Sequence, residues 1–190
     1  MNLHTHLNEL RVTATRRGAE GPRVLIAGPP GTGKTTLART LTGYATRQGY
    51  QPLVLNADPE DGVLTLPGTL SAAVFGTIMD VEAVGDGWGG TPTSGPSAVP
   101  VKLPLVHFYG SRTPGEEAGF YKRLASRLAG AASGRLSADE DVRRAGIIVD
   151  TMGVEEGSAE GVELLAHIIE EVSGESWVWC SVLCCTNGGM

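Results

Sequence analysis

The sequence predicts an α/β fold of the P-loop type, a mostly parallel sheet held between helices in three layers. Three observations predict it. The short apolar run Val24-Leu25-Ile26-Ala27 leads at once into Gly28-Pro29-Pro30-Gly31-Thr32-Gly33-Lys34-Thr35, with a helical stretch behind it. Two further apolar runs end in an acid, at Asp58 and Asp150. Runs of strand character alternate with helical ones along the rest of the chain, as βαβ units require.

Taken in order, Leu3 to Arg17 reads as a helix with Leu3, Leu7, Leu10 and Val12 toward one side, closed by Gly18 and Gly21-Pro22. Val24 to Ala27 has the all-apolar character of a central parallel strand. Thr35 to Gln48 is a helix stopped by Gly49. Pro52 to Asp58 is a second buried strand, and Pro67-Gly68-Thr69-Leu70 a turn into a short segment. Gly85 to Pro100, rich in Gly, Pro, Thr and Ser, reads as a long mobile loop. A strand from Leu105 to Tyr109, a helix from Glu116 to Ala132, a strand from Ala145 to Asp150 and a helix from Gly161 to Val172 complete the pattern. The organisation expected is a leading helix and linker over 1–20, a P-loop domain over 21–175 and an atypical tail over 176–190.

Composition narrows the function. The chain has 190 residues, enough for one α/β domain with a real core, and a formal charge of −6, which argues against a general electrostatic trap for nucleic acid. Lys122, Arg123, Arg127, Arg135, Arg143 and Arg144 fall in one stretch and read as a solvated helix face, with RNA contact the minority reading. The three cysteines, Cys180, Cys184 and Cys185, have neither disulfide nor zinc spacing, and a reducing intracellular compartment is expected. No apolar run is long enough to span a bilayer, and residues 1–20 have no signal-peptide core. His4, His6, His107 and His167 form no ligand pattern and read as ordinary surface or core residues.

The glycine loop carries the chemistry. In G-x-x-x-x-G-K-[ST], glycines let successive amides point inward at phosphate oxygens, and the next helix turns its positive end to the same anion. Lys34 is expected to bridge the phosphates and the Thr35 hydroxyl to ligate Mg2+. Pro29 and Pro30 bring no amide hydrogen, so the cradle runs from Gly31 through Thr36. Asp58 and Asp150 stand at carboxyl ends of strands, where doubly wound sheets bind ligands. Either acid is placed to hold Mg2+ through water or to take a proton from an acceptor hydroxyl. Asp150-Thr151-Met152-Gly153 also fits the D-x-x-G of GTPases. However, the only lysines are Lys34, Lys102 and Lys122, none in an N-K-x-D or T-K-x-D setting, which argues against guanine recognition.

From about Leu3 to Glu171 the chain resembles the polynucleotide 5′-hydroxyl-kinase family, which includes the ATP-binding subunit of eukaryotic pre-mRNA cleavage factor IA. The residues that carry the resemblance are Gly21-Pro22-Arg23-Val24, the P-loop, Asn56-Ala57-Asp58-Pro59, Leu66-Pro67-Gly68-Thr69-Leu70, Phe108-Tyr109-Gly110, Thr113-Pro114-Gly115 with Tyr121, and Ile148-Val149-Asp150-Thr151. The Asp58-Pro59 start is most similar to fungal members.

The resemblance implies a nuclear protein of mRNA 3′-end cleavage and polyadenylation. It would dock a scaffold subunit that contacts RNA polymerase II and meet RNA directly or through the complex. It implies ATP and Mg2+ held by Gly31, Thr32, Gly33, Lys34, Thr35 and Thr36. In kinase-active members the acid matching Asp58 activates an RNA 5′-hydroxyl. Where those members carry T-x-G-W, with the tryptophan stacked on the terminal base, this chain has Thr151-Met152-Gly153-Val154. The family's lid arginines lie beyond the point where the pattern stops.

The expectation is therefore ATP held as a structural ligand and turned over weakly or not at all; active RNA 5′-kinase and small-metabolite kinase are the alternatives. The resemblance further implies a β-rich domain before this one and another domain after it. Ser176 to Met190 does not resemble the family's next strand and reads as a gene-model artefact, with a true strand from Trp177 to Cys184 as the alternative.

Overall fold

A computed structural model describes residues 2–62, 66–76, 78, 104–155, 157–172 and 177–181. The loop expected over 85–100 and the cysteines Cys184 and Cys185 lie outside them. Helix α1 (Asn2–Arg17) precedes strand β1 (Arg23–Ala27), helix α2 (Lys34–Arg47), β2 (Leu53–Ala57), β3 (Thr69–Val74) and β4 (Leu105–Phe108). Then come α3 (Ala118–Ala138), α4 (Glu140–Ala145), β5 (Ile147–Thr151), α5 (Ala159–Val172) and β6 (Trp177–Ser181).

The six strands form one sheet in the order β4-β3-β2-β5-β1-β6. β2, β5, β1 and β6 are mutually parallel, while β3 runs antiparallel to both β2 and β4. The expected mostly parallel sheet is therefore present. The β2–β3 connection holds no crossover helix among the described residues, so that pair runs antiparallel. Near its end the Thr69 hydroxyl donates to the Leu66 carbonyl at 2.7 Å.

Alternate residues of each strand face opposite helical layers. Leu25, Leu55, Leu70 and Val149 pack against Tyr121, Leu124 and Leu128 of α3 and Leu164 and Ile168 of α5. Val24, Ile26, Val54 and Ile148 pack against Leu7 of α1 and Ala38 and Leu41 of α2. Helix α3 runs six residues past the expected Ala132, because Ala132 and Leu136 continue its buried stripe through Ser133-Gly134. The sequence pattern missed α4, which is capped by the Asp139 carboxylate accepting from the amides of Asp141 and Val142.

At the amino-terminal end of the strands the backbone is packed without room for side chains. Gly146 has φ +82, and a β-carbon there would fall 2.1 Å from the Pro22 carbonyl oxygen. A β-carbon on Gly21 would fall 2.3 Å from that of Arg144. Arg11, only 1% exposed, fixes α1 to this end by donating from Nε to the Ala145 carbonyl at 2.9 Å. Burial lowers its pKa to about 10, so it remains a cation.

The basic stretch is mostly engaged with neighbours. Lys122 pairs with Glu163, Arg135 with Asp139 and Arg144 with Asp141, while Arg123 lies over the Phe120 ring. His4 stacks on Tyr44, and His167 meets Ser126 between α3 and α5.

Candidate functional site

All the predicted site residues gather at the carboxyl end of the parallel strands. β1 runs out at Ala27 and the chain turns through Gly28 to Gly33 into α2. Gly31 and Gly33 have φ of +70 and +83, in the left-handed region that glycine enters without cost. Gly33 is the residue preceding α2, and no side chain caps that helix. Its first intrahelical bond joins the Leu37 amide to the Gly33 carbonyl at 2.9 Å. The amides of Lys34, Thr35 and Thr36 therefore precede the helical ladder, a row of donors at the positive end of the helix dipole.

The loop is braced from within and from the side. Thr32 Oγ1 and Lys34 Nζ both donate to the Pro29 carbonyl, at 2.8 and 3.0 Å. Lys34 is 6% exposed, so the cation is held inside the loop. The segment after β5 forms the second support. Thr151 Oγ1 donates to the Ile26 carbonyl at 2.8 Å, and the Val154 amide donates to the Gly28 carbonyl at 3.2 Å. Between them Gly153 lies flat against the loop, where a β-carbon would come within 2.8 Å of Pro30.

Asp58 follows β2 as expected, and its loop is shaped by Asn56, which is fully buried. Asn56 accepts from the Asp58 amide at 3.0 Å and donates to the carbonyls of Asp58 and Asp61 at 3.2 and 2.8 Å. The Asp58 carboxylate accepts from the Glu60 amide at 2.9 Å. Beneath it Tyr121 donates from its hydroxyl to the Ala57 carbonyl at 2.5 Å. The Leu66-Pro67-Gly68-Thr69 segment closes over this loop: the Gly68 amide donates to the Pro59 carbonyl at 2.7 Å, and Gly68 in turn accepts from Tyr109 and Gly110.

Asp150 is the penultimate residue of β5, beside Ile26 and Asn56 in register. It is fully buried, and neither carboxylate oxygen has a hydrogen-bond partner. Burial pushes its pKa up to about 7; the Thr35 hydroxyl, although its hydrogen bond goes to Asp61, lies near enough to pull it back in part, as does Lys34, while Asp58 and Asp61 add to the rise. Asp58 is raised in the same way, chiefly by burial.

The sequence reading missed Asp61. Its carboxylate accepts the Thr35 hydroxyl proton at 3.0 Å, so Thr35 makes this bond while Asp150 is left unpaired. The available signal was an acid three residues beyond Asp58 in the turn Asp58-Pro59-Glu60-Asp61-Gly62.

The donor set fits a magnesium–triphosphate group. Anion-seeking amides and an ammonium adjoin a hydroxyl and a buried carboxylate with two unused acceptors, and magnesium commonly binds through one or two carboxylates plus phosphates. Beyond Pro30 a cleft of about 360 Å³ opens between Arg112, Thr113 and Pro114 on one side and Gly153, Glu155 and Glu160 on the other. Among the described residues, no group of three or more His, Cys, Asp or Glu side chains is arranged to hold a metal ion by itself, and no helix is long and apolar enough to cross a membrane.

This fold and loop define a P-loop nucleotide-binding domain. The profile of the mRNA cleavage and polyadenylation factor CLP1 P-loop matches residues 28–181, and the chain belongs to that family. It is 53% identical over 172 residues to the mRNA cleavage and polyadenylation factor clp1 of Aspergillus niger, covering 90% of this chain and 35% of that protein. It is 51% identical over 179 residues to CLP1 of Pyricularia oryzae, covering 91% of this chain and 39% of that protein. The chain thus spans just over a third of the length of these relatives.

Among solved structures, the wild-type Clp1p–Pcf11p complex superposes with a TM-score of 0.82 at 36% identity, covering 98% of this chain and 42% of that one. A second Clp1p structure, describing an extended interface with Pcf11p and ATP loss in a glycine-to-arginine point mutant, gives 0.78 at 36% identity over 95% of this chain and 41% of that one. The family match includes Trp177–Ser181, which pairs with β1 as β6, the position of the strand weighed as an alternative for the tail.

Proposed function

We propose that this domain is the ATP-binding core of an mRNA cleavage and polyadenylation factor subunit, which holds Mg2+·ATP as a structural ligand. The observation that carries the reading is the pairing of a preformed amide cradle with a fully buried, unpartnered Asp150 carboxylate. Gly31 to Thr36 would hold the phosphates, Lys34 would neutralise them, and Thr35, with Asp58 and Asp150 through water, would hold Mg2+. The metal supplies charge neutralisation across the β- and γ-phosphates.

Two features favour retention over turnover. Val154 stands where active members of the family place a stacking tryptophan, a contact worth about 1–3 kcal/mol per base. Among the described residues, the cleft beyond the loop is lined by Glu60, Glu155 and Glu160 against one cation, Arg112, an unfavourable charge balance for an RNA end. Ligand held this way would keep the Gly153 segment and α5 in one arrangement. That gives a scaffold partner, as Pcf11p is for the solved relative, a fixed surface to grip. The setting is the nucleus, with RNA polymerase II and RNA reached through that complex.

Nucleotide released from the purified native protein and identified by mass spectrometry tests the reading. ATP without ADP is expected, and Lys34→Ala should lose nucleotide and scaffold binding together. Bound ADP, or scaffold binding undiminished in that variant, would contradict it. The raised Asp58 carboxyl is suited to accept a proton, which keeps a 5′-hydroxyl kinase as the second reading. Transfer of labelled γ-phosphate to a 5′-hydroxyl oligonucleotide, abolished by Asp58→Ala, would establish it.

A further inference from the structure

We infer that Asp61 is a positioning residue for the metal: it holds the Thr35 hydroxyl proton so that the oxygen's lone pairs face the cation. The inference rests on the nucleotide reading above and deepens it. A hydroxyl can ligate a metal only through a lone pair, so its proton must turn to an acceptor elsewhere. In this site two carboxylates compete for that proton. The Thr35 hydroxyl gives it to Asp61 at 3.0 Å, and both oxygens of Asp150 stay open for water on the metal.

The placement of Asp61 is built in rather than incidental. Its backbone carbonyl is tied to the fully buried Asn56 at 2.8 Å, and Asn56 also fixes the Asp58 amide and carbonyl. Downstream, the adjacent Gly62 has no space for a β-carbon, which would fall 2.5 Å from the Pro67 nitrogen. The loop carrying Asp61 is thus pinned on both sides.

A second consequence is electrostatic. Asp58, Asp61 and Asp150 bring three carboxylates against one lysine, and a bare triphosphate would add more negative charge. Asp61 therefore makes nucleotide retention depend on the divalent ion. Removing it should weaken binding of Mg2+·ATP while sparing or improving binding of ATP without metal.

The test measures ATP affinity by calorimetry with Mg2+ and with EDTA for the wild-type chain, Asp61→Ala and Asp61→Asn. Asp61→Ala is expected to lose about 10–100-fold in the presence of Mg2+, the usual effect of deleting a group that orients a metal ligand. Its affinity in EDTA should be equal to or better than wild type. Asp61→Asn keeps an acceptor oxygen for Thr35 and should recover most of the loss. An equal loss with and without metal in both variants would mean that the loop had merely collapsed, and would overturn the assignment. So would an unchanged metal dependence. A wild-type chain that binds no Mg2+·ATP would instead overturn the nucleotide reading itself, which separates the two failures.

Discussion

The two ends of the sheet are built on opposite principles. At the amino-terminal end, backbone meets backbone at Gly21 and Gly146, and Arg11 closes the gap under α1 by bonding a carbonyl. At the carboxyl end, Asp58, Asp61 and Asp150 crowd around Lys34 and Thr35, and the most buried of the acids has no partner. One end is closed by contacts that serve only the fold. Buried polar atoms without a partner occur at both ends, Arg11 Nη2 and Arg143 Nε at the first and both Asp150 oxygens at the second. Only at the second do they join a cluster of like charges, a local cost that a cationic ligand would remove. The same parallel strands connect the two, so stability gathered at one end can support strain at the other.

If that contrast is right, substitutions at the two ends should act in opposite directions. The largest effect is expected from Gly146→Ala. Its φ of +82 and ψ of −167 belong to a region open essentially to glycine alone, and the new methyl would strike the Pro22 carbonyl. A loss of at least about 3 kcal/mol is expected in a urea titration, enough to unfold much of a marginally stable domain.

Asp150→Asn should instead stabilise the ligand-free protein. A carboxyl whose folded pKa lies near 7 rather than 3.8 keeps its proton longer in the native state than in the unfolded chain. Its contribution is fully present below about pH 4 and is lost as pH rises through 7. The full penalty above that window is on the order of 4 kcal/mol. Thermal melting of the ligand-free chain at pH 5 and pH 8 should show the wild type losing stability with rising pH, and the variant losing less. A wild type as stable at pH 8 as at pH 5 would erase the contrast between the ends.

How far the sequence disclosed this arrangement depends on how local each signal is. The P-loop was legible because each position answers to a separate chemical demand within eight residues. Asp58 and Asp150 were legible because acids at the ends of apolar runs fall at the ligand-binding edge. The direction of β3 was not, since Leu70 to Val74 has the same apolar character whichever way it pairs. Helix α4 escaped because six residues show too little periodicity, although Asp139 stood before it as a cap. Asp61 escaped for a different reason. In sequence it is one polar residue of an ordinary turn, and only the fold-back imposed by Asn56 brings it to Thr35.

On the proposed reading, the crowded acids and the glycine loop together form a seat for Mg2+·ATP. Thermal melts of the chain at pH 8 with Mg2+ alone, ATP with EDTA, and Mg2+ with ATP test it most directly. A large rise in Tm is expected only when metal and nucleotide are both present. An equal rise with ATP in EDTA, or no rise with both together, would contradict it.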